Sequence, residues 1–250
     1  ISACLVGSEM CIRDSTYTGG TTINAGTLTL GASNVLADTG AVNVSGGTLD
    51  IASFNDTVGT VTLSSGDITG TTGELNGTSY NVTNASGTAN ISAILVGSGQ
   101  LTKSGAGTLT LSRANTYTGD TNISAGTLIL TGSLSSLTDV VMTNAAVWNL
   151  QAAQTVASLS MASGNSITNT AGTSSLTVAG TSTLANSITT TGTQTYTGAV
   201  TLAANTTINT TDSAVLFSAG VTGAGNTLTV NAGTGAISTA ALGTSAASLG

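Results

Sequence analysis

Short runs in which apolar and polar residues alternate recur along the chain, and Gly, Asn, Ser and Asp separate them. Alternation with a period of two predicts β-strands that bury one face, and the separating residues are typical of turns. The predicted strands include residues 27–30, 42–44, 48–51, 60–63, 108–111, 127–130, 176–178, 200–202 and 227–230. Residues 150–161 have some helical character, but Val156, Leu159 and Met161 also fit a strand, so we predict an all-β chain.

The predicted strands recur at a regular spacing. The phrase at residues 26–30 returns at 47–51, and the phrase at 107–111 returns at 126–130. A period near 20 residues with about three short strands per period predicts a β-solenoid, in which each coil stacks on the previous one. About eleven coils at ~4.8 Å each would form a rod roughly 50 Å long. A sandwich or an up-and-down barrel would need longer strands and serial hairpin turns, and Asn-Gly occurs only at residues 76–77.

A solenoid also explains the unusual composition of the chain. Inward aliphatic side chains would form a continuous core, and outward Thr, Ser and Asn would form hydrogen-bonded rows along the axis. In the best-defined repeat we expect Leu109, Leu111, Leu128 and Leu130 to point inward and Thr108, Thr110 and Thr127 to point outward. The sequence contains no Pro, which would remove a ladder donor. Charged residues make up only 5% of the chain, as expected where stacked coils would bring like charges into direct opposition.

The N-terminal residues differ from the rest of the chain. Residues 4–15, CLVGSEMCIRDS, contain both cysteines and resemble the conceptual translation of a transposase-type sequencing adapter. We therefore expect residues 1–15 to be a non-native leader and residues 16–250 to be a β-helix domain, with both ends of the native protein incomplete.

Residues 16–250 contain no Cys and no His, and their only cations are Lys103 and Arg113. Two cations cannot neutralise a phosphate backbone or hold an anionic membrane surface, so we expect neither nucleic acid nor such a surface as a partner. Without Cys and His there is no disulfide framework, zinc site or Ser-His-Asp triad. No apolar run is long enough to span a bilayer, and no signal peptide is visible. The low charge and the regular spacing of apolar residues argue against whole-chain disorder.

Residues 105–130 read GAGTLTLSRANTYTGDTNISAGTLIL and resemble the passenger-associated repeat of bacterial autotransporters. The family pattern is GxGTLTLSGxNTYTGGTTxxxxGTLxL. The chain departs from it at Arg113 and Asp120, where the family has Gly, and at Asn122. Residues 16–30 match the second half of the pattern closely, and residues 192–242 resemble repeats of filamentous-haemagglutinin-like exoproteins more loosely.

The resemblance implies a right-handed, single-stranded parallel β-helix that crosses the outer membrane of a Gram-negative bacterium by type V secretion. It implies a C-terminal β-barrel translocator and the outer-membrane assembly machinery as partners, and a location at the cell surface or outside the cell. Scarcity of cysteine is also usual in such passengers.

Acidic residues are the first candidates for chemistry, because carbohydrate-cleaving enzymes use paired carboxylates. Within residues 16–250, Asp50 and Asp56 are the pair closest in sequence, and Asp120 and Asp139 are separated by about one repeat period, which would stack them in successive coils. These acids are scattered and only two cations accompany them, so we interpret them as solvated corner residues. We predict no catalytic, cofactor or metal site.

Aromatic residues are the second candidates. Tyr17, Tyr117 and Tyr196 each lie in a Thr-Tyr-Thr-Gly segment. We interpret their rings as packed beside the corner glycine, where they cover the edge of the next coil; the alternative is an exposed ring that stacks on sugars or a partner surface. Trp148 is the single tryptophan, and we interpret it as a core or coil-flank residue rather than a binding anchor.

The leading hypothesis is a structural, adhesin-like stalk that supports export and display and has no enzymatic activity, with host-surface or carbohydrate ligands as further candidate partners. One alternative is a carbohydrate-active β-helix enzyme. Another is an ice-binding solenoid, because Thr27/Thr29, Thr60/Thr62, Thr108/Thr110 and Thr227/Thr229 form Thr-x-Thr pairs. The irregular spacing of these pairs argues against a single flat array.

Overall fold

The structure is a computed structural model that describes residues 4–6, 9–11, 17–223 and 225–242. The described strands of the first half are β1 (Cys4–Val6), β2 (Glu9–Cys11), β3 (Thr21–Ile23), β4 (Thr27–Thr29), β5 (Val42–Asp50), β6 (Asp56–Thr69), β7 (Glu74–Val82), β8 (Thr88–Ile91), β9 (Ile94–Val96), β10 (Gln100–Lys103), β11 (Thr108–Leu111), β12 (Thr121–Ile123) and β13 (Thr127–Leu130). The second half contains β14 (Asp139–Met142), β15 (Val147–Leu150), β16 (Gln154–Val156), β17 (Ser158–Met161), β18 (Ser166–Thr168), β19 (Leu176–Val178), β20 (Ser182–Thr189), β21 (Gln194–Tyr196), β22 (Val200–Asn209), β23 (Val215–Thr222), β24 (Leu228–Asn231) and β25 (Ile237–Leu242).

Strands β3 to β25 pair in parallel between successive coils and form one solenoid. Register partners are one coil apart in sequence, and the coil length varies, from the short step between Ser182 and Val200 to the longer one between Leu159 and Ser182. Each coil has three sides, and we define them by their strands. The first face includes β3, β10, β12, β14 and β17; the second includes β4, β8, β11, β13, β15, β18 and β24; the third includes β9, β16, β19 and β21. The predicted all-β solenoid is confirmed, with about 11 turns of roughly 20 residues.

Alternation along the strands separates the core from the surface. Leu109, Leu111, Leu128 and Leu130 are fully buried, as predicted. The predicted outward residues Thr108, Thr110 and Thr127 are half-buried. Parallel pairing places Leu128 next to Leu109 below and Trp148 above, so that inward side chains form columns along the axis. Full burial of a large aliphatic side chain stabilises the fold by about 1.5–3 kcal/mol.

Residues 150–161 form no helix. They contain the end of β15 and the short strands β16 and β17, with Val156, Leu159 and Met161 buried. The prediction of strands in this segment is confirmed. No part of the chain that the structure describes forms a helix that could cross a membrane.

The third face is interrupted between β9 and β16, where residues 112–120 and 131–138 contain only one isolated bridge in place of strands. Two buried amide side chains replace the missing ladder bonds there. Asn115 Oδ1 accepts a hydrogen bond from Leu95 N at 3.0 Å, and Gln154 Oε1 accepts one from Leu134 N at 2.9 Å. These bonds satisfy backbone donors that would otherwise be buried without a partner.

The predicted leader, residues 1–15, lies outside the described residues except for β1 and β2, whose backbones pair in antiparallel fashion. Its assignment as a non-native leader stays a prediction.

Candidate functional site

The first predicted acid pair is divided between the two sides of the coil wall. Asp50 lies on the outward side of β5, and its Oδ1 accepts a hydrogen bond from Ala52 N at 2.9 Å. Asp56 is 2% exposed and points inward, where its Oδ2 accepts hydrogen bonds from Val35 N at 2.9 Å and Leu36 N at 3.2 Å. Burial raises the pKa of Asp56, although both N–H groups oppose that change. Each carboxylate therefore fixes a different stretch of backbone.

The second acid pair occupies equivalent positions in successive coils. Thr121 of β12 lies opposite Val140 of β14, so the residues that precede them, Asp120 and Asp139, are stacked. Asp139 Oδ1 accepts a hydrogen bond from Ser158 Oγ in the next coil at 2.6 Å. No group of three or more His, Cys, Asp or Glu side chains that could hold a metal ion occurs within the described residues.

Both cations of residues 16–250 bind backbone carbonyl groups. Lys103 is fully buried in the inward column between Val82 and Ile123, and its Nζ donates to the carbonyl oxygens of Gly105 and Ala125. Burial lowers the pKa of Lys103. The sequence interpretation missed this inward lysine. The signal was present, because Lys103 follows Leu101 at the same two-residue spacing that places Leu111 after Leu109.

Arg113, which replaces the glycine of the repeat pattern, is exposed and lies across neighbouring coils. Its Nε donates to Ser92 O at 3.3 Å and its Nη2 to Gly70 O at 3.5 Å. The guanidinium thus covers carbonyl groups at the corner between the second and third faces.

The tyrosine of the best repeat belongs to a buried polar network. Tyr117 is fully buried, and its hydroxyl shares a hydrogen bond of 2.7 Å with Thr121 Oγ1. Thr121 Oγ1 also lies 3.1 Å from Thr138 Oγ1, which donates to Gly119 O at 2.6 Å. Burial raises the pKa of Tyr117. The interpretation of this ring as packed is confirmed, and the alternative of an exposed sugar platform is wrong.

The hydroxyl partners of the other two repeat tyrosines depend on the residue four positions later in the sequence. Tyr17, which is partly exposed, also places its hydroxyl near the threonine four residues later, with Thr21 Oγ1 at 3.2 Å. Tyr196 has Val200 at that position, so its hydroxyl donates instead to Gln194 Oε1 at 2.8 Å. Tyr196 is fully buried and stacks on Phe217 with a ring-centroid distance of 5.3 Å.

Trp148 is fully buried in the second-face column between Leu128 and Ile167, which confirms its interpretation as a core residue. Its indole N–H has no hydrogen-bond partner among the described residues.

One outward column of the first face, which is one residue wide, is uncharged. Its members, which are register partners from coil to coil, are Thr22, Asn43, Thr62, Asn81, Thr102, Asn122, Val141, Ser160, Thr183, Thr201 and Thr222. The Thr-x-Thr pairs do not form one array. Thr60/Thr62 lies on this first face, whereas Thr27/Thr29 and Thr108/Thr110 lie on the second.

The comparisons with known proteins agree with the repeat pattern. A family model described as Passenger-associated-transport-repeat matches residues 14–30 and 101–130. The second of these matches contains Lys103, Tyr117 and Thr121. No solved structure matches the chain.

A curated relative of the chain is the Adhesin BmaC autotransporter of Brucella suis biovar 1 (strain 1330), to which the chain is 34% identical over 137 residues. The similar region covers 54% of this chain and 4% of the relative. The chain therefore corresponds to a small part of that much longer protein.

Proposed function

The passenger-associated repeats, the adhesin relative and the solenoid fold together fit a segment of an autotransporter passenger, and from that premise we propose that residues 16–250 form a structural stalk that supports export and surface display. The observation that carries this proposal is the backbone ladder, which, among the strands that the structure describes, joins each coil only to its neighbours. A solenoid of this kind can add coils one at a time as the chain emerges, because each new coil finds its template in the one before it.

The stalk is proposed to be non-enzymatic and to contain no catalytic, cofactor or metal site. Support comes from the charged side chains that would be the first candidates for catalysis, because they bind the backbone of the fold. Asp56 accepts from N–H groups of the neighbouring coil, and Lys103 and Arg113 donate to carbonyl groups. A carbohydrate-active enzyme would need two carboxylates that converge on one cleft, and Asp50 and Asp56 lie on opposite sides of the coil wall.

The partners and the location follow from the autotransporter premise. We propose that the parent protein carries a C-terminal β-barrel translocator, that the outer-membrane assembly machinery inserts this barrel, and that the stalk is displayed at the cell surface or released from a Gram-negative bacterium. Adhesion to a host surface or a carbohydrate is a role of the parent protein, and the uncharged outward column of the first face provides hydroxyl and amide groups for such contacts.

A display assay tests the proposal. The full chain is placed between an epitope-tagged signal sequence and an autotransporter β-barrel in a Gram-negative host, and surface epitope is measured with antibody on intact cells. We expect display of the wild-type stalk. Gly126→Val, which places a branched side chain against carbonyl groups of the neighbouring coil, should reduce display strongly; Gly87→Val, at nearly the same φ but with nothing within 4 Å of the added Cβ, should reduce it less.

Failure of the wild-type stalk to reach the surface, while the same barrel displays the epitope without the stalk, would contradict the proposal. Equal display of the Gly126→Val and Gly87→Val chains would show that coil stacking does not support export.

A further inference from the structure

Asn76 and Gly77 form the one Asn-Gly dipeptide of the sequence. Asparagine followed by glycine is prone to deamidation, because glycine has no side chain to hinder attack by its backbone nitrogen and adopts the required backbone conformation readily. In this reaction Gly77 N bonds to Asn76 Cγ, the bond from Cγ to Nδ2 breaks, and ammonia leaves with the proton from the Gly77 N–H. Water then opens the cyclic imide at either carbonyl and gives aspartate or isoaspartate.

The folded backbone holds the two reacting groups apart. Both residues lie in β7, where Asn76 pairs with Thr57 on one side and Val96 on the other, and Gly77 pairs with Val58. In an extended strand the next backbone nitrogen points away from the side chain of the residue before it. Closure of the imide ring therefore requires β7 to leave its ladder locally.

Gly77 N–H is also held by a buried hydroxyl. Gly77 N donates to the Tyr80 hydroxyl at 2.8 Å, and that hydroxyl lies 2.7 Å from both Leu75 O and Val96 O. Tyr80 is 1% exposed, and burial raises its pKa to about 12, so the hydroxyl stays protonated and keeps its place in this cluster at physiological pH.

The carboxamide of Asn76 is positioned from the other side. Asn76 is exposed, but its Oδ1 occupies the space that a Cβ at Gly97 would fill. Gly97 has a φ of 85°, a backbone conformation that residues other than glycine rarely adopt. The absence of a side chain at Gly97 thus lets the Asn76 carboxamide lie toward the neighbouring strand segment rather than over Gly77 N.

We propose that Asn76 is a deamidation site that is protected while β7 is folded, with the Tyr80 hydroxyl as the group that restrains the Gly77 N–H. The product places a negative charge on an outward position between Thr57 and Val96. Isoaspartate also inserts an extra backbone atom into β7, which would displace the alternation of inward and outward side chains beyond it. The modification would therefore mark molecules whose β7 remained unpaired for long.

Peptide mapping by mass spectrometry tests this inference on the full chain. The protein is incubated at pH 7.4 and 37 °C, folded or unfolded in urea, and deamidation of Asn76 is followed over time. We expect slow reaction in the folded protein and fast reaction in the unfolded one. Tyr80→Phe should increase the folded-state rate by about fivefold, the factor that corresponds to the loss of about 1 kcal/mol from one hydrogen bond.

Tyr117→Phe is the matched control. It also removes a buried tyrosine hydroxyl, and its ring centroid lies 6.0 Å from that of Tyr80, but the Tyr117 hydroxyl bonds to Thr121 and not to Gly77. This variant should leave the folded-state rate unchanged. Equal rates in folded and unfolded wild-type protein would overturn the protection by the fold. An unchanged rate in a folded Tyr80→Phe chain, or an equal increase in Tyr117→Phe, would overturn the role of the Tyr80 hydroxyl. Circular dichroism of each variant establishes that it is folded.

Discussion

Four glycines allow the contribution of coil stacking to stability to be separated from that of backbone conformation. Gly87 and Gly126 have nearly the same left-handed φ, 66° and 68°, whereas Gly31 and Gly105 do not have a left-handed φ. The four glycines also differ in the space available for a side chain, and this grouping is not the same as the grouping by φ. An added Cβ would meet nothing within 4 Å at Gly31 or Gly87, but would meet backbone of the neighbouring coil at Gly105 and Gly126. Alanine at each position completes a two-by-two design.

The structure gives the expected magnitudes. A left-handed conformation costs alanine about 1–2 kcal/mol, and forcing an extra carbon into a packed site costs about 1–3 kcal/mol. At Gly126 the added Cβ would lie 2.5 Å from Gly105 O and still closer to Gly107 O, so both costs apply. The loss of unfolding free energy should therefore be near zero for Gly31→Ala and about 1–2 kcal/mol for Gly87→Ala. It should be about 1–3 kcal/mol for Gly105→Ala and about 2–5 kcal/mol for Gly126→Ala.

Equilibrium urea unfolding of the full chain measures these differences. Strand circular dichroism reports the solenoid as a whole, and fluorescence of the buried Trp148 reports its middle. If the slope of unfolding free energy against urea concentration is the same in each variant, the substitution alters stability and not the surface area exposed on unfolding.

Equal destabilisation by Gly87→Ala and Gly126→Ala would refute a stacking cost at Gly126. A Gly105→Ala chain as stable as the Gly31→Ala chain would refute it at Gly105. Either result would mean that backbone of the next coil does not lie against these corners.

Two further substitutions test the buried polar groups. Thr121→Val removes the hydroxyl between Tyr117 and Thr138 and leaves the Tyr117 hydroxyl buried without a partner, so we expect a loss of about 1–3 kcal/mol in urea unfolding, against less than about 0.5 kcal/mol for the outward control Thr110→Val. Lys103 has a folded-state pKa below its ordinary value, so the unfolded chain binds more protons and the stability that depends on Lys103 rises with pH. The difference in unfolding free energy between wild type and Lys103→Met should therefore shift in favour of wild type as the pH rises toward 10, and a difference that is independent of pH would contradict the burial of this amine.

The strands and the core could both be predicted from the sequence, because the same two-residue alternation of apolar and polar residues indicates each of them. The two-residue alternation at residues 108–111 and 127–130 fixes which side chains face inward, and the spacing between the two segments fixes which coil lies above which. The same alternation would have placed Lys103 inward, but the polar character of lysine concealed it. Its position is acceptable because the long side chain carries the ammonium group to carbonyl oxygens at the corner.

The third face could not be predicted at the same level. Residues 112–120 and 131–138 form no strands, and Asn115 and Gln154 supply some of the hydrogen bonds that strand partners would otherwise make. Sequence spacing does not show where a backbone group lacks a ladder partner, so these buried amides look like surface residues. The acids present the same difficulty, because the short spacing of Asp50 and Asp56 does not show that one lies outside the wall and the other inside.

The register of the coils is the central claim, and paired cysteines test it most directly. In a chain that carries Cys4→Ser and Cys11→Ser, Thr62→Cys with Asn81→Cys places the new cysteines on register partners in adjacent coils. Their Cα atoms should lie about 4.8 Å apart, within the range that a disulfide bridges. Thr62→Cys with Thr102→Cys spans two coils, or about 10 Å, which is too far. We predict rapid oxidation of the first pair to an intramolecular disulfide and none of the second. Failure of the first pair to close in the folded protein, or closure of both at the same rate, would contradict the stacked solenoid.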